Sequence, residues 1–452
     1  MVKNMTYNEI LLRIILLLKD GKKKDFLELF EELQPYDMAS IFKELPEKHH
    51  TRFLSFLTVD NITIMMQELE LQYQLAIFNK VGKEKGVKVI NKMDNDDLAI
   101  LLDELDPELK DQLLSSMEDE ESKAVQTLMN YPPETAGRIM TNRYVWIPMN
   151  YSVMDAVAKL KMFAEIAESI NYLYVINEKK HLVGVVSYRD LILGEPNDKI
   201  EELMYTRVIS IDAYADQEEV AKLIERYDFL AIPVVEGGHE LVGIVTVDDV
   251  IDIVIQEANE DYEKFAASGK AIDFDTKAFV AAYRRLPWLI LLLFIGLVSG
   301  SIISIFQGTL NKVVALAFFM PMIAGMTGNT GTQSLAVVIR GLAQHDLDRK
   351  IVVNLILREL RVGFIIGIVC AVFITIIALL WQGNPLLGLV VGSSLFLTLI
   401  IGTMAGTLIP LILHKLKIDP AIASGPLITT LNDILSLTIY FGIATAFLSY
   451  LM

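Results

Sequence analysis

Two stretches of this 452-residue chain combine residue types that could handle a cation inside a membrane. The last apolar run, from Gly425 to Met452, reads GPLITTLNDILSLTIYFGIATAFLSYLM and holds one formal charge, Asp433. With ~20 residues needed to cross a bilayer at ~1.5 Å per residue, Asp433 falls ~12 Å into the span, close to mid-membrane. A carboxylate there costs on the order of 2.5 to 3.5 kcal/mol even on mild insertion scales. It therefore faces a wet pathway or a cation, or it is protonated and hydrogen-bonded to a neighbouring helix. Upstream, Pro321 to Ser334 reads PMIAGMTGNTGTQS. Proline, glycines and amides in a row would fray a lipid-facing helix, and such backbone is tolerated where it lines a cavity. Freed carbonyls, Asn329 and Gln333 are neutral oxygen donors, suited to a hydrated hard cation where few carboxylates are at hand. Close helix packing explains the glycines but not the polar residues between them.

The elements that position these residues are apolar spans. Five are expected from the sequence, at about 287–306, 313–340, 354–381, 386–413 and 425–450. Alternating the loops puts Arg284, Arg285, Arg340, Arg349, Lys350, Arg358, Arg361, Lys415 and Lys417 on one side and Lys312 alone on the other. The positive-inside rule then predicts a cytoplasmic N-terminal part and a C-terminus outside. Small-xxx-small pairs at Gly296/Gly300, Gly363/Gly367 and Gly402/Gly406 predict helix contacts. Five helices are few for a self-contained pore, so a homodimer with its pathway on the two-fold axis is expected.

Charge is divided unevenly: residues 1–280 carry 30 Lys and Arg against 52 Asp and Glu, and residues 281–452 carry ten against five. An acidic part joined to an apolar tail argues against nucleic acid as a partner, because phosphate binding needs clustered Lys and Arg. The single cysteine, Cys370, excludes a disulfide framework and a thiolate metal site. The N-terminus has an apolar stretch broken by Arg13 and no small-residue cleavage site, so it reads as an amphipathic helix.

Residues 5–130 show apolar residues at helical spacing, with turns at Leu45-Pro46-Glu47, Met93 to Asp96 and Leu105 to Glu108. A wound stack of short helices is expected, without a strict repeat. Its acids Asp94, Asp96, Asp97, Asp103 and Glu104 suit helix N-termini without any ligand. From Tyr131 an internal repeat appears: Val183 to Asp190 (VGVVSYRD) matches Val242 to Asp249 (VGIVTVDD) at an offset of 59 residues. Each copy is preceded by an amphipathic helix (153–163; 217–227) and a β-branched run (172–176; 231–235), giving a pseudo-symmetric pair. Residues 256–285 are polar and helix-prone. Glu257, Glu260 and Asp261 fall at i, i+3 and i+4 on one face, and such like charges repel unless a solvated face, a basic face or a divalent ion relieves them.

Residues 138–256 resemble a tandem pair of CBS domains. That resemblance implies a nucleotide cleft, with Tyr172 lining adenine, Arg189 near phosphate and Asp190 on the ribose, or a pair whose cleft stays empty. GNTGTQ in the second span, TLND in the fifth, Arg-Leu-Pro-Trp-Leu at 285–289 and the order of upstream domains together resemble the MgtE family of magnesium channels over essentially the whole length. The fold implied is an α-helical membrane protein of five transmembrane helices, with a cytoplasmic all-α superhelical N domain and an α/β tandem CBS pair. Its parts are expected at 1–130 (N domain), 131–256 (CBS pair), 257–285 (connecting helix) and 286–452 (pore).

By the same resemblance the chain is not an enzyme but a homodimeric, multi-pass cell-membrane protein that passes Mg²⁺. Asp433 would hold the transported ion, with Gly325, Gly328, Asn329, Gly331, Gln333 and Thr429 lining the pore. Asp94, Asp97, Asp216, Glu218, Asp249, Asp252, Glu257, Glu260 and Asp261 resemble positions that sense internal Mg²⁺ and hold the pore shut, and ATP is a candidate ligand of the CBS cleft. Residue types alone suit Mg²⁺, Mn²⁺, Co²⁺ and Ni²⁺ alike, and do not separate a channel from a coupled transporter. An intramembrane aspartyl protease would need two carboxylates sharing a proton, and the sequence offers one Asp at that depth. A CBS-gated anion channel is disfavoured by Asp433, with no intramembrane Lys or Arg beside it.

Overall fold

A computed structural model describes residues 5–164, 167–267, 272, 276–344 and 348–451. The chain divides into two compact units, Met1–Val254 and Ile255–Met452.

The first unit opens with ten short helices: α1 (Tyr7–Asp20), α2 (Lys23–Phe30), α3 (Pro35–Glu44), α4 (Glu47–Phe56), α5 (Val59–Gln67), α6 (Leu71–Val81), α7 (Lys83–Ile90), α8 (Asn95–Asp103), α9 (Pro107–Ser115) and α10 (Asp119–Met129). The expected turns become their boundaries. Pro46 caps α4, Asp94 stands at the N-cap of α8, and Pro107 occupies the first turn of α9, where its missing N–H costs nothing. Phe26, Phe30, Phe42 and Phe53 are fully buried in the first half of this array, Phe26 and Phe30 stacked and Phe53 edge-on to both.

Two β-α-β-β-α copies follow: α11 (Ala136–Ile139), β1 (Tyr144–Pro148), α12 (Val153–Phe163), β2 (Ser169–Ile176), β3 (Leu182–Ser187) and α13 (Tyr188–Leu193), then α14 (Ile200–Leu203), β4 (Ile211–Asp212), α15 (Gln217–Tyr227), β5 (Ala231–Glu236), β6 (Glu240–Thr246) and α16 (Val247–Phe265). In each copy the first strand pairs parallel with the second, and the second pairs antiparallel with the third. The copies also exchange backbone. Thr141, ahead of β1, bonds reciprocally with Ile244 of β6, and Tyr205, ahead of β4, bonds reciprocally with Val185 of β3. This crossing explains the repeated glycine of VGVV and VGIV. A Cβ on Gly184 would stand 2.5 Å from Met204 Sδ, and one on Gly243 2.5 Å from Met140 Sδ. One apolar core joins the helical array to the second copy, running from Ile10 to Val250, while the first copy has a core of its own.

Helix α16 grows directly out of the second copy, starting at Val247 and ending at Phe265 in the second unit, so the connecting element begins ten residues before the position expected for it. Residues 268–271 and 273–275 of that stretch lie outside the described residues. The second unit continues with α17 (Ala278–Ile305), α18 (Gln307–Lys312), α19 (Leu316–Gln344), α20 (Arg349–Gln382), α21 (Pro385–Lys415), a 3-10 turn (Pro420–Ile422), α22 (Gly425–Ala446) and α23 (Leu448–Leu451). Four of these helices, α17, α20, α21 and α22, are long and apolar enough to cross a membrane. α19 matches them in length at 29 residues, ~44 Å at 1.5 Å per residue. Its polar run, however, lowers its apolar content, so the five expected spans are four by length and composition plus this one. α21 is the central element, with both its glycine pairs and the hydroxyl residues Ser394, Thr398, Thr403 and Thr407 buried. Gly363 and Gly367 of α20 pack against Thr403 and Phe396 of α21, and Gly402 and Gly406 pack against Thr327 and Gly331 of α19. Among the described residues, Gly296 and Gly300 have no neighbour within 4 Å of an added Cβ, and α17 has no buried residue.

Candidate functional site

The second unit places Asp433 on α22, partly exposed, with no hydrogen bond to its carboxylate from any described residue. α22 lies antiparallel to α19. Tyr440 Oη donates to the carbonyl of Leu316 (2.8 Å), the Thr332 and Thr429 hydroxyls meet at 3.3 Å, and a Cβ on Gly328 would stand 3.6 Å from Thr429 Cα. Continuing that register sets Asp433 level with Ala324 and Gly325. Gly325, Asn329 and Gln333 are exposed at i, i+4 and i+8 of α19, and Thr429 lies one turn from Asp433 on α22. Asn329 and Gln333 of α19 and Thr429 and Asp433 of α22 together supply a candidate polar face across these two adjacent helices. Gly328 and Gly331, expected beside them, are instead buried in the packing: an added Cβ would come within 2.7 Å of Thr429 Cγ2 and 2.0 Å of Asn432 Nδ2 respectively. The glycines let the helices approach, and the amides and hydroxyls between them supply the face.

A second carboxylate lies within the spans. Glu359 of α20, 4% exposed, accepts from Ser334 Oγ (3.0 Å) and from Arg358 Nε and Nη2 (3.1 and 2.9 Å). Sequence alone does not single it out, because Arg358 and Arg361 give that part of the span the look of a charged end. Its donors are all protein groups, which marks it as a structural anchor of α19 on α20.

The first unit contains a compact acid cluster. Asp96 of α8, Glu168 just ahead of β2, and Asp249 of α16 each offer an oxygen within 4.8 Å of the others. Asp96 is buried, and its Oδ1 has no hydrogen-bond partner among the described residues. Burial, reinforced by Asp97, Glu168 and Asp249, holds the Asp96 carboxyl well above the usual range. Burial, then Asp249 and Asp94, pushes Asp97 up to about 7. Burial raises Glu168 to about 7 against a hydrogen bond from Thr141, and raises Asp249 to about 6 against one from Thr246. Acids that resist ionising together bind a proton or a divalent cation, and an all-oxygen set suits Mg²⁺, Ca²⁺ or Mn²⁺. The donor set, with one buried oxygen left unpaired, fits such an ion.

Of the nine acids expected to sense an ion in the cytoplasmic part, Asp249 is a member of this cluster, and Asp97 and Asp252 face it electrostatically. Asp94 does not contribute a free carboxylate. It is held by Arg143 Nη1 (2.7 Å) and by Gln67 Nε2. Asp216 caps α15 by accepting from the Glu218 N–H (2.8 Å), and Glu218 pairs with Lys222 (3.2 Å). In the second unit Glu260 and Asp419 both pair with Lys264, each at 2.6 Å, while Glu257 and Asp261 lie on the same helix. Asp96 and Glu168 were missed. Asp96 sits in a helix buried nearly all round, which the run Asn95 to Leu102 hints at. Glu168 is a lone acid brought in by strand pairing, with no local signal.

Tyr172, Arg189 and Asp190 line one cleft of about 500 Å³ together with Val185, Ser187, Leu193 and Tyr205. Ser187 and Asp190 form a capping box at the start of α13, Ser187 Oγ donating to Asp190 Oδ2 (2.5 Å). The matching pair of the second copy, Thr246 and Asp249, makes the same contact but inside the acid cluster. The two copies have thus diverged, one toward an open cleft and the other toward buried acids. An aromatic ring, a guanidinium and a carboxylate around 500 Å³ fit a nucleotide's base, phosphate and ribose.

Comparison with known proteins agrees with this order of domains. Residues 17–134 match the MgtE intracellular N domain, residues 136–194 and 200–256 match CBS domains, and residues 320–443 match the divalent cation transporter family MgtE. The chain is 73% identical to the magnesium transporter MgtE of Bacillus subtilis (strain 168), with 99% of each chain covered. It is 35% identical to the magnesium transporter MgtE of Thermus thermophilus, covering 94% of this chain and 96% of that one. Among solved structures it resembles the soluble part of a magnesium transporter (TM-score 0.53, 35% identity, 56% of this chain and 100% of that one). It also resembles the cytosolic domain of the Mg²⁺ channel MgtE in complex with ATP (TM-score 0.52, 32% identity, 54% and 99%). With matching domains in matching order from end to end, the chain belongs to the MgtE family of magnesium transporters, which are not enzymes.

Proposed function

We propose that this chain forms a homodimeric Mg²⁺ channel of the cell membrane, with its N-terminal part in the cytoplasm and its C-terminus outside. The observation that carries the reading is the partly exposed Asp433, its carboxylate without a hydrogen-bond partner among the described residues, beside Gly325, Asn329, Gln333 and Thr429. In a dimer those faces meet on the two-fold axis, and two carboxylates balance one Mg²⁺ while it keeps most of its waters, which it sheds reluctantly. Amides and hydroxyls one and two turns away read the hydrated ion's outer surface. The loop Lys and Arg bias supports the orientation.

Internal Mg²⁺ regulates the pathway in this reading. The ion settles among Asp96, Glu168 and Asp249, with Asp97 and Asp252 adding negative field beside it. Occupancy relieves repulsion in one state more than in another, and that differential affinity is what closes the gate. ATP in the cleft of Tyr172, Arg189 and Asp190 tunes the response, as suggested by the ATP-bound relative. The test is Mg²⁺ uptake into proteoliposomes by the full chain, by Asp433→Ala and by a truncation beginning near Ala278. Uptake is lost in Asp433→Ala, and inhibition by internal Mg²⁺ is lost in the truncation. Truncated protein that is still inhibited overturns the regulatory reading and leaves the pore intact.

A further inference from the structure

We infer that Asn432 is the positioning residue of Asp433, fixing the rotation of α22 that aims the carboxylate and so setting the selectivity of the pathway. The inference rests on the reading above that Asp433 faces the ion. Asn432 is fully buried on the face of α22 opposite to solvent. Its Nδ2 donates to the carbonyl of Thr327 on α19 at 3.3 Å. The space it fills is the one Gly331 leaves, where a Cβ would stand 2.0 Å from Nδ2. Gly331 is pressed from the other side by α21, since a Cβ on Gly406 would lie 2.1 Å from the Gly331 carbonyl oxygen. Helices α19, α21 and α22 therefore meet around Gly331.

Adjacent residues on a helix diverge by about 100°. With Asn432 keyed into the seam, Asp433 is turned onto the polar face. A rotation of ~30° would sweep a carboxylate ~6 Å from the axis by ~3 Å, comparable to one water diameter, for an ion with strict octahedral demands. The Asn432 Oδ1 has no hydrogen-bond partner among the described residues. The nearby hydroxyls are committed to backbone carbonyls, Thr327 to Ile323 (2.7 Å) and Ser436 to Asp433 (3.1 Å). An unpaired buried acceptor is costly, and a buried polar residue of this kind is retained where it specifies one arrangement of helices over others. Leucine at this position would pack better and hold register less well.

The experiment measures Mg²⁺ and Ca²⁺ flux into proteoliposomes of full-length protein, with unfolding temperature and dimer elution recorded for each variant. Asn432→Ala and Gly331→Ala, which disturb the same contact from opposite sides, lower the Mg²⁺ to Ca²⁺ flux ratio at least tenfold while the dimer elutes as before. Leu437→Ala, a buried apolar residue of the same helix, lowers the unfolding temperature and leaves the ratio unchanged. If Asn432→Ala does not fold, Gly331→Ala is read alone by the same criterion. An unchanged ratio in the contact variants, or an equal fall in Leu437→Ala, overturns the inference. Asp433→Ala run alongside separates the two claims: if it keeps both flux and ratio, the pore reading fails, and if it alone loses them, only the positioning role fails.

Discussion

Neutralising one acid of the cytoplasmic cluster should stabilise the ion-free protein and weaken its response to Mg²⁺. Asp249→Asn is the suitable change, because the amide oxygen still accepts from Thr246 Oγ1 while the charge is removed. Burial pushes Asp249 up to about 6 against ~3.9 in an unfolded chain, so holding it ionised above pH 6 costs about 3 kcal/mol at 1.36 kcal/mol per pH unit. The sign follows from proton linkage. A carboxyl raised on folding binds its proton more tightly in the native state, so its stabilising contribution is complete below pH ~4 and lost as pH rises through 6. With Asp97 and Glu168 raised to about 7, the window of lost stability spans about pH 4 to 7 for the cluster as a whole. Hydrogen exchange of the full chain in detergent reads this locally at α8 and the start of β2. At pH 8 without divalent ions, Asp249→Asn gains up to about 3 kcal/mol of local protection. Mg²⁺ at a hundred times its dissociation constant protects the wild type by about 2.7 kcal/mol, and a tenfold weaker site in the variant forfeits about 1.4 kcal/mol of that. Wild-type protection that ignores Mg²⁺, or a variant no more protected than wild type in its absence, refutes the assignment.

Further expectations follow from the CBS pair. Asp190→Ala and Arg189→Ala weaken ATP binding by tenfold or more in equilibrium dialysis of the full chain while Asp249→Asn does not, because the two copies serve different ligands; equal loss in all three contradicts that division. Gly184→Ala brings a methyl to within 2.5 Å of Met204 Sδ at the crossing of the copies and costs about 1 to 3 kcal/mol of unfolding free energy by overpacking, measured by urea titration monitored at the CBS pair. The double change Gly184→Ala with Met204→Ala recovers part of the loss if the clash is the cause.

The repeat at an offset of 59 residues, the helical spacing of the first 130 and the apolar spans were all legible, because each is a local pattern in a periodic element. The polar run PMIAGMTGNTGTQS was legible as special but not in its division of labour. Only packing shows that Gly328 and Gly331 face α21 and α22 while Asn329 and Gln333 stay exposed. That same run cost α19 its standing as a plainly apolar span. The acid cluster was half legible. Asp249 lay in a recognisable motif, whereas Asp96 hid in a run of acids that suits any helix start, and Glu168 joins it only through the pairing of β1 with β2. Asp94, equally conspicuous in the sequence, is taken up by Arg143 49 residues away, a contact no local pattern encodes. Glu359 escaped notice because flanking arginines disguised a buried carboxylate as a span's charged end.

On the proposed reading a negative charge at Asp433, rather than the shape of its side chain, carries Mg²⁺ through the bilayer. Asp433→Asn keeps the shape and removes the charge. Mg²⁺ flux through reconstituted full-length protein at a fixed gradient should fall by at least a hundredfold in this variant, with dimer and unfolding temperature unchanged. Flux within a few-fold of wild type would show that the charge at Asp433 does not carry the ion.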